Sequence, residues 1–411
     1  MNTEPPDAYH WEDVPAIIAT THFSETEYAR RLALLRTAMA ERELSCLLIT
    51  SPEDIYYLTG LSHQGYFAFT LLVVPQEGPM VIVARAMESA TISAQAGACV
   101  HEPFSDGEDP SEKAAEVVLR LKHRPGNAGT AQTGIAQIGV EFSSMFFPIS
   151  IWEGIRSRIG GLHTTDASDL VPSLREVKSA EELHHVRAAA EITSTAMEAG
   201  LAAVTEGAPE SSVAEAISST MIRAKSEHPG FVPLVRSRER LLHEHVSWQD
   251  RRITAGDAVF MEFSASVARY HAPMSRMAYL GAPPPGTEIA AGIAEEGLLA
   301  VTEALRPGAS GAEVYDAWQR VVEAGLGHSR YRRHHCGYMV GIGFPPSWVG
   351  GAAVVGLRDG GELEIREGMT FHVLSWLLDQ EPADFVLSDT VVVTAEGGEV
   401  LTDAPRTPVI R

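Results

Sequence analysis

Apolar positions recur along this chain with two different periods. From Glu25 to Glu43, Tyr28, Leu32, Leu35 and Met39 return every three or four residues, which predicts a helix. Short apolar runs then read as strands: LSCLLIT (44–50), FTLLVV (69–74), MVIVA (80–84) and IAQIGVEF (135–142). Helical segments lie between them, one opening at Asp109-Pro110, where Asp can cap and Pro suits the first turn. Strands alternating with helices predict an α/β domain over residues 23–174, preceded by an N-terminal arm, 1–22, that is acidic and Pro-rich.

The pattern changes after Lys178. Ser179 with Glu182 forms a capping-box signature, and Leu183, Val186, Ala190, Met197 and Leu201 mark one helical face behind it. Ser310 with Glu313 repeats the signature, followed by Val314, Trp318 and Val321 or Val322. Strand candidates are AVFMEFSA (258–265), SVARYHA (266–272), MTFHVLSW (369–376) and DTVVVT (389–394). Grouped helices with long antiparallel-looking strands predict an α+β second domain over residues 175–411.

Composition narrows the classes of function. A chain of 411 residues, 45% hydrophobic, can bury a large core. No run of about 20 apolar residues predicts a membrane span, and the first residues lack a secretory signal's basic and apolar regions. The net charge of −22 argues against nucleic acid or an anionic membrane as partner, since phosphate binding needs a basic footprint. Three scattered cysteines, Cys46, Cys99 and Cys336, suit a reduced compartment, and the expected location is cytoplasmic.

Three clusters carry candidate chemistry. The first is HEHVSWQD (243–250) followed by MEFSASVARYHAPMSR (261–276). Strand alternation puts Glu262 on the face of Phe260 and Ser264, where a carboxylate is costly to bury unless paired or protonated. A structural ion pair with Arg269 or Arg276 is the plain alternative to catalysis, and His245 and His271 stand close in sequence. The second cluster, HHCGYMVGIGFPPSWVGG (334–351), reads as a glycine-rich loop between strands, with no phosphate-cradling signature. The third supplies His372, Trp376, Asp384 and Asp389 from two strands. A GxSxG elbow, HExxH and GxGxxG are all absent, and Cys336 beside two histidines is a weak case for a thiol nucleophile.

In this order the clusters, with EYARRLALLRTAMAERELSCLLITSPEDIYYLTG and REVKSAEEL before them, resemble the creatinase/aminopeptidase P/prolidase family of the pita-bread fold. That resemblance implies an α/β N-terminal domain and an α+β pita-bread C-terminal domain. It also implies a homodimer in which one subunit's N-terminal domain covers the partner's pocket. The family's metallopeptidases hold two divalent ions on two Asp, a His and two Glu. The matching positions here are Glu262, Pro273, Tyr338, Leu374 and Ser388, so the expectation is no metal and no cofactor.

The blocks SWQD, FMEFSASVARYHAPMSRMAYLG, GYMVGIGFPPSW and EGMTFHVLSW are similar to the metal-free, ectoine hydrolase-like branch of the family. The similarity implies ring opening of a small cyclic amidine to an N-acetylated diamino acid. On it, Glu262 is the expected nucleophile or base, His245 its acid/base partner and Asp389 the group that orients water or steadies the cation. His271 or Arg276 would take a substrate carboxylate, while Tyr66, Phe67, Tyr338, Trp348 and Trp376 would line the pocket or stack on the substrate. The alternatives are a same-fold enzyme on another small substrate, a non-catalytic binding module and a residual metallopeptidase.

Overall fold

The computed structural model describes residues 22–122, 137–350 and 354–411. The expected arm lies outside these residues except for His22, as do the first two positions of the strand expected at 135–142. The chain divides into two compact units between Arg175 and Glu176.

The first unit contains, in order, α1 (Glu25–Glu41), β1 (Cys46–Ile49), α2 (Pro52–Thr59), β2 (Leu71–Pro75), β3 (Val81–Arg85), α3 (Ser89–Gln95), β4 (Val100–Phe104), α4 (Pro110–Lys122), β5 (Gln137–Val140), α5 (Ile149–Ile159), β6 (His163–Asp166) and α6 (Leu170–Arg175). Its six strands form one mixed sheet in the order β4-β3-β2-β1-β5-β6. Leu48, Val73, Val83, Ile138 and Val140 pack on Ala114, Val118, Ile155 and Ile159 of the helices. The buried face of α1 also carries a charged pair at helical spacing. Arg31, fully buried, bonds Glu27 at 2.8 Å and lies over the rings of Phe23 and Tyr57.

The second unit contains α7 (Ala180–Ala203), α8 (Glu210–Arg223), β7 (Leu234–Ser237), β8 (Ala258–Phe263), β9 (Ser266–Val267), β10 (Tyr270–His271), β11 (Met274–Tyr279), α9 (Thr287–Ala304), α10 (Gly311–Leu326), β12 (Gly337–Met339), β13 (Thr370–Leu377), β14 (Phe385–Val393), β15 (Gly398–Val400) and β16 (Val409–Ile410). Both capping boxes form as the sequence predicts. The run SVARYHA is not one strand: Ala268 and Arg269 adopt φ of 48° and 63° and turn it into the β9–β10 hairpin. The main sheet runs β12-β13-β14-β11-β8-β7, with β15 on β14 and β16 on β11.

Because side chains alternate along a strand, register decides what each face carries. Leu374 faces Ser388, Ser388 faces Ser275, Ser275 faces Glu262 and Glu262 faces Leu234, giving one row across five strands. The helices cover the opposite face. There Trp318 of α10 donates to Ser375 Oγ at 3.0 Å, and Gly297 of α9 comes so close that a Cβ would lie 2.7 Å from the same oxygen. Met261, Phe263 and Met274 pack on the same side against Met197, Leu201 and Ile217 of α7 and α8. Burial of Trp318 predicts that Trp318→Ala costs about 3–5 kcal/mol. Urea unfolding checks this, and a loss under about 1 kcal/mol would contradict the role given to the helix layer.

Candidate active site

The site is built on the face of the second sheet opposite the helices. Glu262 of β8 is 6% exposed, and among the described residues its carboxylate makes no hydrogen bond. Its nearest ion-pair contact is His372 Nδ1 at 4.0 Å. Burial pushes its pKa from an ordinary 4.5 up to about 7; Arg236 and Arg333 pull the other way, and Glu244 adds to the rise. A carboxyl so placed exchanges its proton near neutral pH, as a general base or a poised nucleophile requires.

Beside it runs a closed chain of neutral groups. The indole of Trp348 can only donate, and it donates to Tyr338 Oη at 3.0 Å. Ser388 gives its own proton to Ser275 Oγ, so His372 Nε2–H donates to Ser388 Oγ at 2.7 Å, and Nδ1 of the neutral ring accepts from Tyr338 Oη at 2.9 Å. Ser388 also accepts from the Ser275 amide at 2.8 Å and donates to Ser275 Oγ at 2.7 Å. Burial, with His335 and Arg276 nearby, lowers the pKa of His372 to about 3, so the ring is neutral as this chain needs. Every lone pair and proton of Ser388 is engaged, so it is not a free nucleophile. Burial likewise raises the Cys336 thiol, and a thiol that stays protonated is a poor nucleophile.

Four of the five positions matched to metal ligands, Glu262, Tyr338, Leu374 and Ser388, lie in this row or next to it, and Pro273 immediately precedes β11. One carboxylate, a phenol, a serine already saturated by protein, a leucine and a proline do not make a cage for hard cations. No group of three or more His, Cys, Asp or Glu able to hold a metal occurs among the described residues.

His245 lies at the rim. It is exposed, has φ of 54°, and stacks at 6.4 Å on Phe231, which meets Trp348 edge-on at 4.6 Å. Its loop is anchored by buried Glu210, which accepts from Ser237 Oγ at 2.7 Å, from the Gln249 amide at 2.9 Å and from the guanidinium of Arg240. Arg240 in turn donates to the Ser247 carbonyl. His245 is thus connected to the site through rings and makes no direct bond to Glu262.

Several expected site residues serve the scaffold instead. Asp389 is one position from Ser388 and so points to the other face, where Arg276 at 2.8 Å, Thr402 at 2.8 Å and Arg406 at 3.0 Å donate to it. Arg276 is spent on Asp389 and on the carbonyls of Ser275, Ser388 and Ala404. His271 accepts from the Gly230 amide at 2.9 Å and donates to the Arg269 carbonyl at 2.9 Å, and burial holds its pKa near about 3. Both His271 nitrogens are engaged, and Asp389 and Arg276 face away from Glu262. The face of Trp376 is already met by the guanidinium of Arg333 at 4.9 Å. Tyr66 and Phe67 belong to the first unit, where Tyr66 meets Phe146 edge-on and Phe67 is 78% exposed. The residues that sequence reading passed over are Ser388 and His372 as partners, and the cations Arg236 and Arg333. Arg236 was legible as a charge two positions beyond Leu234 in PLVRS.

Two family models match, the creatinase/prolidase N-terminal domain over residues 31–177 and metallopeptidase family M24 over residues 184–395. The chain belongs to the M24 family and is a hydrolase of that family. It is 27% identical over 399 residues to the ectoine hydrolase of Halomonas elongata, covering 93% of this chain and 97% of that one. It is 24% identical over 368 residues to the Xaa-Pro dipeptidase of Pyrococcus horikoshii, covering 90% and 95% respectively. The crystal structure of dipeptidase PepE from Mycobacterium ulcerans superposes with a TM-score of 0.76 at 24% identity, over 94% of this chain and 99% of that one. Among the described residues no helix is long and apolar enough to cross a membrane.

Two predictions follow from the geometry. Raising the folded-state pKa of Glu262 means that folding favours its neutral form. That contribution is fully present below about 4.5 and is lost as pH rises through about 7. Glu262→Gln should therefore gain up to about 3 kcal/mol of stability relative to the native chain between about pH 5 and about pH 8. Parallel urea-unfolding curves at the two pH values would contradict it. Asp389→Ala, which strands the buried Arg276, should cost about 3–5 kcal/mol in the same assay, and unchanged stability would return Asp389 to the list of catalytic candidates.

Proposed function

We propose that the protein is a metal-independent hydrolase that cleaves a C–N bond in a small cyclic amidine or guanidino-type substrate, in the manner of an ectoine hydrolase. The observation that carries this reading is Glu262. It is the one carboxylate left at the family's metal positions, buried without a hydrogen bond and titrating near neutrality. A protonated amidine is already electrophilic at carbon, so its hydrolysis needs an oxygen nucleophile and a proton shuttle and has less need of a Lewis acid. Glu262 either adds to that carbon or takes a proton from the attacking water. Where water attacks, the tetrahedral centre expels one ring nitrogen, which takes up a proton. Where Glu262 adds, the same C–N bond breaks with the nitrogen protonated, and water then cleaves the bond between Glu262 and the carbon. Either route consumes one water and gives an N-acylated diamino acid. His245, on its anchored loop, is the proposed proton donor.

The proposal includes a cytoplasmic homodimer in which the N-terminal unit of a second copy brings Tyr66 and Phe67 to the substrate. The similarity to Xaa-Pro dipeptidases supports a second reading, hydrolysis of a peptide bond. A peptidase, however, must activate water against a neutral amide, for which this donor set offers no cation cage.

A mass-spectrometric screen of ectoine, creatine and Xaa-Pro dipeptides, with and without chelator, separates the readings. Turnover of a cyclic amidine or guanidino acid is expected, insensitive to chelator, with kcat/KM rising through about pH 7 as Glu262 ionises. Glu262→Gln should retain its fold and lose at least about 1,000-fold in kcat. Near-native turnover in that variant, or activity lost to chelator and restored by Mn²⁺, would overturn the proposal.

A further inference from the structure

Near Glu262 lies a buried cation that no anion contacts among the described residues. Arg236 of β7 is 1% exposed. It pairs with Phe260 in register while Leu234 pairs with Glu262, so it projects from the same face as Glu262. Its guanidinium lies 4.1 Å over the Phe260 ring, and one Nη donates to the His243 carbonyl. Among the described residues its Nε has no acceptor, and no carboxylate forms an ion pair with it. The indole Nε1 of Trp376, 5% exposed, also lacks an acceptor, and this ring meets Phe260 edge-on at 5.6 Å.

Two orphan donors therefore flank one phenylalanine. Leaving a buried guanidinium or indole N–H unanswered is costly, and only acceptors answer either of them. A carboxylate supplies two oxygens with room for several donors, and the guanidinium fork suits it. Arg333 Nε also lacks an acceptor among the described residues, but Glu244 stands 3.5 Å from the other end of that guanidinium. Arg236 and Glu262 are diagonal neighbours on adjacent strands, a separation of roughly 7–8 Å between backbone positions. A ligand bridging them has its acidic group about one small ring away from its reacting carbon.

We propose that Arg236, with Trp376 Nε1 beside it, binds a carboxylate of the substrate and selects small cyclic amino-acid derivatives over uncharged amidines. The choice of amidine rests on the function proposed above; the carboxylate subsite does not. Arg236 also acts as a counter-charge on Glu262, a role that affects both kinds of substrate alike and so predicts a different pattern of loss from the subsite.

The test compares ectoine with the same ring lacking its carboxylate, in the native chain, Arg236→Gln and Arg236→Lys. The native chain should prefer the acid on the order of 100-fold in kcat/KM. Above about pH 9, where Glu262 is ionised in every variant, Arg236→Gln should lose that preference by slowing far more on the acid than on the uncharged ring, and Arg236→Lys should retain part of it. Equal losses on both rings, or a preference that survives Arg236→Gln, would overturn the subsite. Should the native chain turn over neither ring, the functional reading fails by itself. The subsite is then decided by calorimetric titration with proline and N-acetyl-diaminobutyrate. Binding by the native chain that Arg236→Gln abolishes upholds the subsite; no binding, or equal binding by both proteins, removes it.

Discussion

A buried carboxylate that makes no hydrogen bond to any described residue is the constraint around which this site is organised. Burial alone would hold Glu262 protonated, and a fully paired carboxylate would be locked in its anionic form. The structure does neither. Arg236 and Arg333 act on the charge from a distance, and the nearest imidazole nitrogen is 4.0 Å away with its lone pair committed to Tyr338. The group is left in balance near neutrality, and the neighbouring residues are arranged so as not to disturb that balance.

The fold was readable because period and capping agree. Both capping boxes, the amphipathic faces of α7 and α10 and the strand carrying Glu262 follow from spacing that any apolar core imposes. The hairpin at Ala268-Arg269 was not readable, because neither residue advertises a positive φ. Nor was the buried Arg31–Glu27 pair, since charges at helical spacing look like a solvated face.

At the site, alternation placed Glu262 correctly, but proximity in sequence misassigned its companions. His271, Arg276 and Asp389 are near it along the chain or near its row in the sheet, yet each is consumed by the scaffold. Asp389 shows why. A single-residue step along β14 separates the face of Ser388 from the face of Arg276, and composition cannot reveal which of two adjacent polar residues faces the cleft. Arg236 was legible as a charge in a strand, but its significance was not, because that lies in the acceptor it lacks among the described residues, a property of three dimensions.

The same register explains how polar residues at the positions matched to metal ligands satisfy one another. Positions that converge on a cation converge on one another when the cation is gone, and isolated polar groups there would each remain unsatisfied. Tyr338 and Ser388 occupy two such positions and are joined by His372, which stands between them on the adjoining strand. Trp348 donates into the chain at one end, and Ser275, receiving the Ser388 proton at the other, sets its direction. Leu374 fills the next position of the row without any polar demand. The result is a neutral, saturated wall, and against it the single remaining carboxylate is the group left free to react.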